Sequence, residues 1–219
     1  MRSEKWVSFW NDRSKYVEEN VKYANGRGSF PDDVFNSIYR DIIKVLNIDH
    51  KSSLLDVGGG TGYFLQKIIK ECSPVETCLI DSSQNSIDSF NSWREANNIS
   101  NSEAHKTILP EFKIDNRKFN KIMCGTALGY LNSWDEVVMS LQNMYDLLET
   151  DGDLLLFHHH KSDFESNEWW KDEIILFNNS NMLKAIRKVG FLDFKEVSIG
   201  DYHGNGCCGK SEFSVLLKK

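Results

Sequence analysis

From Ser53 onward, short apolar runs alternate with longer segments in which apolar residues recur every three or four positions. The runs predict strands at about 53–57, 76–81, 103–107, 119–124, 153–159, 193–200 and 211–218. The segments between them predict helices, most clearly over 62–71, 85–96, 134–148 and 181–189, with Asp151-Gly152 and Gly190 as stops for the last two. Alternation of this kind is the signature of repeated strand–helix–strand units around a parallel sheet. The final two strands, joined through Gly200 to Gly209, read as a hairpin, which sets one antiparallel strand in the sheet. Before Ser53 the pattern is helical only. One stretch runs from about Trp6 to Tyr23 and another from Phe35 to Leu46, parted by Asn25-Gly26-Arg27-Gly28 and Pro31. Residues 1–50 thus form a helical cap that belongs to the same domain as residues 51–219.

Composition narrows the picture. The 219 residues, 40% of them hydrophobic, suffice for one sizeable core, and no apolar run is long enough to cross a bilayer. The N-terminal Met1-Arg2-Ser3-Glu4-Lys5-Trp6 lacks the uninterrupted apolar stretch of a secretory signal. Five cysteines, Cys72, Cys78, Cys124, Cys207 and Cys208, are odd in number and fall partly inside helix and strand patterns, which argues for a reducing cytoplasm over a disulfide framework. The net charge is −6 and the lysines are dispersed, so no basic stripe marks a nucleic-acid partner. A small-molecule partner is expected, with no membrane and no nucleic acid; the oligomeric state is not encoded in these features.

The chemistry concentrates in Leu54-Leu55-Asp56-Val57-Gly58-Gly59-Gly60-Thr61-Gly62, a strand running into a glycine turn and then a helix. Such a turn brings backbone N–H groups and open space to the carboxyl edge of a sheet. A dinucleotide turn needs G-x-G-x-x-G, but counting from Gly58 and Gly60 places Tyr63 third. A phosphate loop needs Gly-Lys-Ser/Thr after four spacers, and that is absent too. What stands here is Asp56-x-Gly58-x-Gly60-x-Gly62, which resembles the first motif of class I S-adenosylmethionine (SAM) dependent methyltransferases. The resemblance implies a Rossmann-like, seven-stranded, mostly parallel α/β sheet with helices on both faces, and SAM as cofactor. It also implies that the glycines let the backbone approach the amino-acid and sugar portions of SAM, with Asp56 holding the turn and the ammonium end. A cationic, phosphate-free ligand tolerates a carboxylate where a pyrophosphate would not. Asp81 closes Thr77-Cys78-Leu79-Ile80-Asp81, about 20 residues beyond the turn, the separation of a ribose-binding acid; an acid there also caps a following helix.

Further segments are similar to the same family. Phe119-Asn120-Lys121-Ile122-Met123-Cys124-Gly125 resembles the fourth strand, and by that resemblance Gly125 borders the methionine portion of SAM. Leu147 to Leu156 resembles the helix, turn and fifth strand, and Met182 to Phe191 the late helix with its Gly-Phe ending. One departure concerns adenine: after the third strand many relatives carry a carboxylate, whereas Ala104-His105-Lys106-Thr107-Ile108-Leu109-Pro110 offers Thr107 and the backbone near Ile108.

Methyl transfer to oxygen or nitrogen requires alignment, exclusion of water and removal of a proton. His158, His159 and His160 stand where the fifth strand ends and are the candidate bases, with His159 on the opposite face from the other two; solvated strand-end residues give the same pattern. Tyr130, after the fourth strand, is a further candidate lining residue. His203 with Cys207 and Cys208 reads as a glycine-rich loop rather than a metal cluster, and no metal is expected. By analogy with small-molecule methyltransferases, Tyr16, Tyr23 and Arg27 of the cap are candidate lid contacts and Trp169-Trp170 a substrate-selecting insertion. The predicted function is methyl transfer from SAM to a small polar metabolite, with a sugar or surface-glycan precursor as the acceptor guess. A non-catalytic SAM-binding partner and an aminopropyl transferase share the fold; the latter expects carboxylates near the fourth strand, and Gly125-Thr126-Ala127-Leu128-Gly129 has none.

Overall fold

Both faces of the central strand are buried along its whole length, from Ser53 to Val57, so helices must cover the sheet on either side. The computed structural model describes residues 2–25, 32–114, 117–158, 179–191, 193–199 and 213–219. Its strands are β1 (Ser53–Val57), β2 (Glu76–Asp81), β3 (Ser102–Lys106), β4 (Phe119–Gly125), β5 (Leu148–His158), β6 (Asp193–Glu196) and β7 (Phe213–Lys218). They form one sheet in the order β3-β2-β1-β4-β5-β7-β6. β1 runs parallel to both β2 and β4, and β7 is antiparallel to β5 and to β6. The strand order therefore reverses direction between β1 and β4, which opens a crevice beyond their carboxyl ends.

The helices are α1 (Arg2–Arg13), α2 (Val21–Ala24), α3 (Asp32–Leu46), α4 (Tyr63–Cys72), α5 (Gln84–Ala96), α6 (Trp134–Leu147) and α7 (Asn179–Val189). Alternation along the strands sorts the core into two layers. Leu54, Leu79, Met123 and Leu155 face α3, α4 and α5, meeting Phe35, Ile38, Ile42, Leu65, Ile68, Ile87 and Phe90. Leu55, Cys78, Ile122 and Leu154 face the other way, toward Val137, Leu141 and Met144 of α6 and Met182, Ile186 and Val189 of α7. In α3 the spacing Phe35, Ile38, Tyr39, Ile42, Leu46 places its buried residues on one stripe.

Several boundaries differ from the sequence expectation. The stretch from Trp6 to Tyr23 is not one helix: α1 ends at Arg13, a 3-10 turn covers Ser14–Tyr16, and α2 starts afresh at Val21. Ser14 Oγ donates back to the carbonyl of Trp10 at 2.9 Å, and the Asn20 side chain accepts the Tyr23 N–H at 3.0 Å, so one residue closes the first helix and another caps the second. β5 begins before Asp151-Gly152 rather than after it. The pairing moves from Phe119↔Leu148 to Lys121↔Asp153, and the extra residues bulge out with Asp151 at φ 62°. α6 ends at Leu147, within one residue of the expected 148. β6 ends at Glu196, and the connection proposed through Gly200 to Gly209 lies outside the described residues. Among the described residues no helix is long and apolar enough to cross a membrane.

Candidate active site

The glycine turn leaves the buried end of β1 and is pinned to β2. Gly58 and Gly59 donate their N–H groups to the Ile80 carbonyl at 2.8 and 3.3 Å, and Gly60 N–H donates to Asp81 Oδ2 at 2.9 Å. Gly58, Gly60 and Gly62 have φ of 69°, 57° and 71°, a left-handed backbone that other residues adopt only with strain. Gly62 caps α4, and a Cβ there would lie 2.3 Å from the Phe90 ring and 2.9 Å from Leu79 Cδ1. Gly62→Ala is expected to cost about 2 kcal/mol or more, through combined left-handed strain and overpacking, read as a Tm lowered by roughly 4–8 °C. At Gly58 an added Cβ would come within 2.3 Å of the Ala127 Cβ, so the turn and the exit of β4 are in direct contact.

Two carboxylates lie side by side beneath this turn. Asp56 is 6% exposed, and burial followed by the nearby Asp81 charge pushes its pKa up to about 8. Burial also raises Asp81, opposed by the N–H groups of Ser83, Gly60 and Ser82. Asp81 Oδ1 accepts from Ser83 N–H at 2.8 Å. Ser83 in turn caps α5, accepting the Ser86 N–H at 3.2 Å. Helix capping, one of the two roles open to an acid at this position, thus falls to Ser83. Two carboxylate oxygens carry about four lone-pair sites, so acceptor capacity remains on the open side of Asp81.

Asp56 and Asp81 form the floor of a cleft of about 1200 Å³, its mouth included. Gly58, Gly60, Thr107, Ile108, Gly125 and Tyr130 all line it. Thr107 N–H donates to the Asp81 carbonyl at 2.9 Å, which fixes the loop after β3, and Ile108 stands 47% exposed at the rim. Beyond Gly125, Thr126 is held at φ 64° while its N–H donates to the Phe157 carbonyl at 2.8 Å. Gly62 faces Phe90 and not the cleft. Tyr16 is 47% exposed, edge-on to Tyr23 with centroids 5.8 Å apart, and neither ring is part of the cleft lining. His158 ends β5 directly after the cleft residue Phe157. Arg27, His159, His160, Trp169-Trp170, His203, Cys207 and Cys208 lie outside the described residues.

The cap contributes what periodicity did not reveal. Trp6 and Trp10 of α1 overhang the cleft and pack on Tyr130, with ring centroids 4.8 and 5.2 Å apart. Asn25 reaches in beside the turn, donating from Nδ2 to Thr61 Oγ1 at 3.0 Å. Away from the cleft, ligand-type atoms of Cys78, Glu103 and His105 lie within 4.8 Å of one another. The Arg117 guanidinium occupies that corner, paired with Glu103 and, at 2.9 Å, with Glu76, while burial pushes the Cys78 thiol up to about 12. A neutral thiol beside a guanidinium makes an ion-paired sheet edge, not a cation site.

Comparison with known proteins agrees with this geometry. The family model described as a methyltransferase domain matches residues 32–192. A phosphoethanolamine N-methyltransferase of Haemonchus contortus, solved with phosphoethanolamine and S-adenosylhomocysteine, has a TM-score of 0.75 at 17% identity, covering 99% of this chain and 49% of that one. A SAM-dependent methyltransferase from Aquifex aeolicus gives 0.65 at 13%, covering 86% and 92%. The [4+2]-cyclase SpnF gives 0.61 at 18%, covering 73% of this chain; the chain spans 58% of that protein's length. Comparison with curated protein sequences finds no match. The match over residues 32–192, on a sheet of this order with a glycine turn at its reversal point, shows that the chain belongs to the methyltransferase domain family of class I SAM-dependent enzymes.

Proposed function

We propose that this enzyme moves the methyl group of SAM to an oxygen or nitrogen atom of a small polar molecule held in the cleft above Asp56 and Asp81. The observation that carries this reading is the pair of carboxyl groups under the glycine turn, Asp81 at the cleft and the buried Asp56, which is pushed up to about 8. A buried carboxyl that gains its charge by meeting a cation favours a cationic ligand, and neither carboxyl group favours a pyrophosphate. When bound, SAM supplies an electrophilic methyl group on a sulfonium centre. Asp81 accepts the ribose hydroxyls, Gly58 and Gly60 admit the amino-acid portion, Gly125 borders it, and Thr107 with the backbone at Ile108 takes the adenine edge. Trp6 and Trp10 of the cap exclude water from the transfer step, and Arg27 is assigned a lid contact by analogy with the family. The proton is assigned to one of His158, which ends β5, or His159 and His160, the next two residues in the sequence. Trp6, Trp10 and Tyr130 form an aromatic wall suited to an acceptor with one flat apolar face, which a sugar ring has.

The reaction is tested with labelled SAM and fractionated small-molecule extracts, following S-adenosylhomocysteine release. Release that depends on one fraction is expected. Binding of S-adenosylhomocysteine with no release for any fraction would make the chain a SAM-binding partner instead. Unchanged turnover after His→Asn at each of 158, 159 and 160 would remove the base assignment. A fold neighbour that is a [4+2]-cyclase makes the assay necessary, since the scaffold alone does not name the reaction.

A further inference from the structure

The first turn of α5 is capped not only by its own Ser83 but also from a helix more than seventy residues away. Asn11 Oδ1 of α1 accepts the Asn85 N–H at 3.2 Å and lies 3.3 Å from the Ser83 hydroxyl. The Asn11 carbonyl accepts from Asn85 Nδ2 at 2.7 Å. Ser14 Oγ approaches Ser83 Oγ at 2.9 Å, and both serines are buried. Unpaired N–H groups at a helix start need partners, and here α1 supplies one of them in place of water. Ser83 is the residue whose own N–H holds Asp81 Oδ1, while Gly60 N–H holds Oδ2. A continuous polar chain therefore runs Asn11, Ser83, Asp81, Gly60, from the cap to the glycine turn.

From this chain we infer that Asn11 is a positioning residue for Asp81. It touches no part of the cofactor itself; by seating the start of α5 it fixes the Ser83 N–H, and the Ser83 N–H fixes the rotation of the carboxylate. A carboxylate that must meet two hydroxyl groups tolerates only about half an ångström of play. Releasing the Ser83 end would leave Asp81 tethered at Gly60 and more weakly at Ser82, so affinity would fall through lost preorganisation. The inference rests on the proposed role of Asp81 toward the ribose hydroxyls. It adds that recognition of the sugar depends on a residue of α1.

The test measures, by calorimetry, the affinity of the full chain and of Asn11→Ala and Asn11→Asp for two ligands. These are S-adenosylhomocysteine and its analogue lacking both ribose hydroxyls. The unaltered protein is expected to prefer the natural ligand by about 100-fold, Asn11→Ala by no more than about 10-fold, and Asn11→Asp, which keeps an acceptor oxygen, by nearly the full ratio. Equal weakening of both ligands by Asn11→Ala would show that α1 acts as a general cover and would overturn the inference. So would a lower Tm with the ratio intact. If the unaltered protein shows no preference, the ribose role of Asp81 fails first and the inference with it.

Discussion

Replacing Asp81 by Asn is expected to weaken S-adenosylhomocysteine binding by on the order of 100-fold while moving Tm by less than about 4 °C. The two effects separate because two opposing terms act on the free protein. The amide loses the charge that strengthens its bonds, and its NH2 must face either Ser83 N–H or Gly60 N–H, each of which now donates to an oxygen. Against this, a buried charge next to Asp56 is removed, and that burial already raises Asp81 above the usual carboxylate range. For the ligand there is no such offset. Two charge-assisted bonds to ribose hydroxyls, each about 1.5 kcal/mol or more, are weakened or lost together. Calorimetry decides the matter: affinity within threefold of the parent would remove Asp81 from the cofactor site.

Asp56→Asn is expected to act on stability and on binding in opposite directions, and the first effect depends on pH. The folded pKa of Asp56 lies near 8, above its ordinary 3.8, so the folded state holds a proton that the unfolded state releases. The stability linked to that proton is fully present below 3.8 and is lost as pH rises through about 8. Asn cannot ionise, so it loses nothing over that interval. The gap by which the variant out-melts the parent should therefore open near pH 4, widen up to about pH 8 and stand at several degrees at pH 9. Asp81 and the buried Cys78 and Cys124 thiols are the titratable groups that interact with Asp56; burial raises both thiols, which stay neutral across this range. For a cationic ligand the sign reverses. Binding draws Asp56 into its charged form, so SAM affinity in the parent should rise between pH 6 and 8, whereas the variant should bind on the order of 100-fold more weakly at pH 8 with a flat profile. Parallel Tm curves for the two proteins from pH 5 to 9 would contradict the buried-proton account.

Much of the scaffold is legible in the sequence because its signals are local. The strand–turn–helix at Asp56 to Gly62 and the acid at Asp81 sit at separations set by chain geometry, so counting residues finds them. Strand alternation likewise distinguishes Leu54 from Leu55 as members of different layers. Other features were hidden for equally physical reasons. The helical period of α1 shows that Trp6 and Trp10 share a side, but not that the side covers Tyr130. Asn25 and Asn11 are small polar residues whose meaning comes entirely from distant partners, Thr61 in one case and Ser83 with Asn85 in the other. Tyr16 reads as a lid residue by analogy with the helical preface of small-molecule methyltransferases. The break at Ser14 turns it outward. The early start of β5 escaped notice because Asp151-Gly152 looks like an ordinary helix stop, whereas here it serves a bulge within the strand.

The contact between Gly58 and Ala127 ties two separate loops into a single unit of variation. A methyl group is all that the β4 exit presents there, and the absence of one is all that the turn permits. Any side chain at 58 would run into the Ala127 methyl group, which has no rotamer with which to yield. In a randomised library the two positions would be inherited together, and changes of acceptor preference would have to arise elsewhere along the wall, at residues free to change size without disturbing the seat of the cofactor.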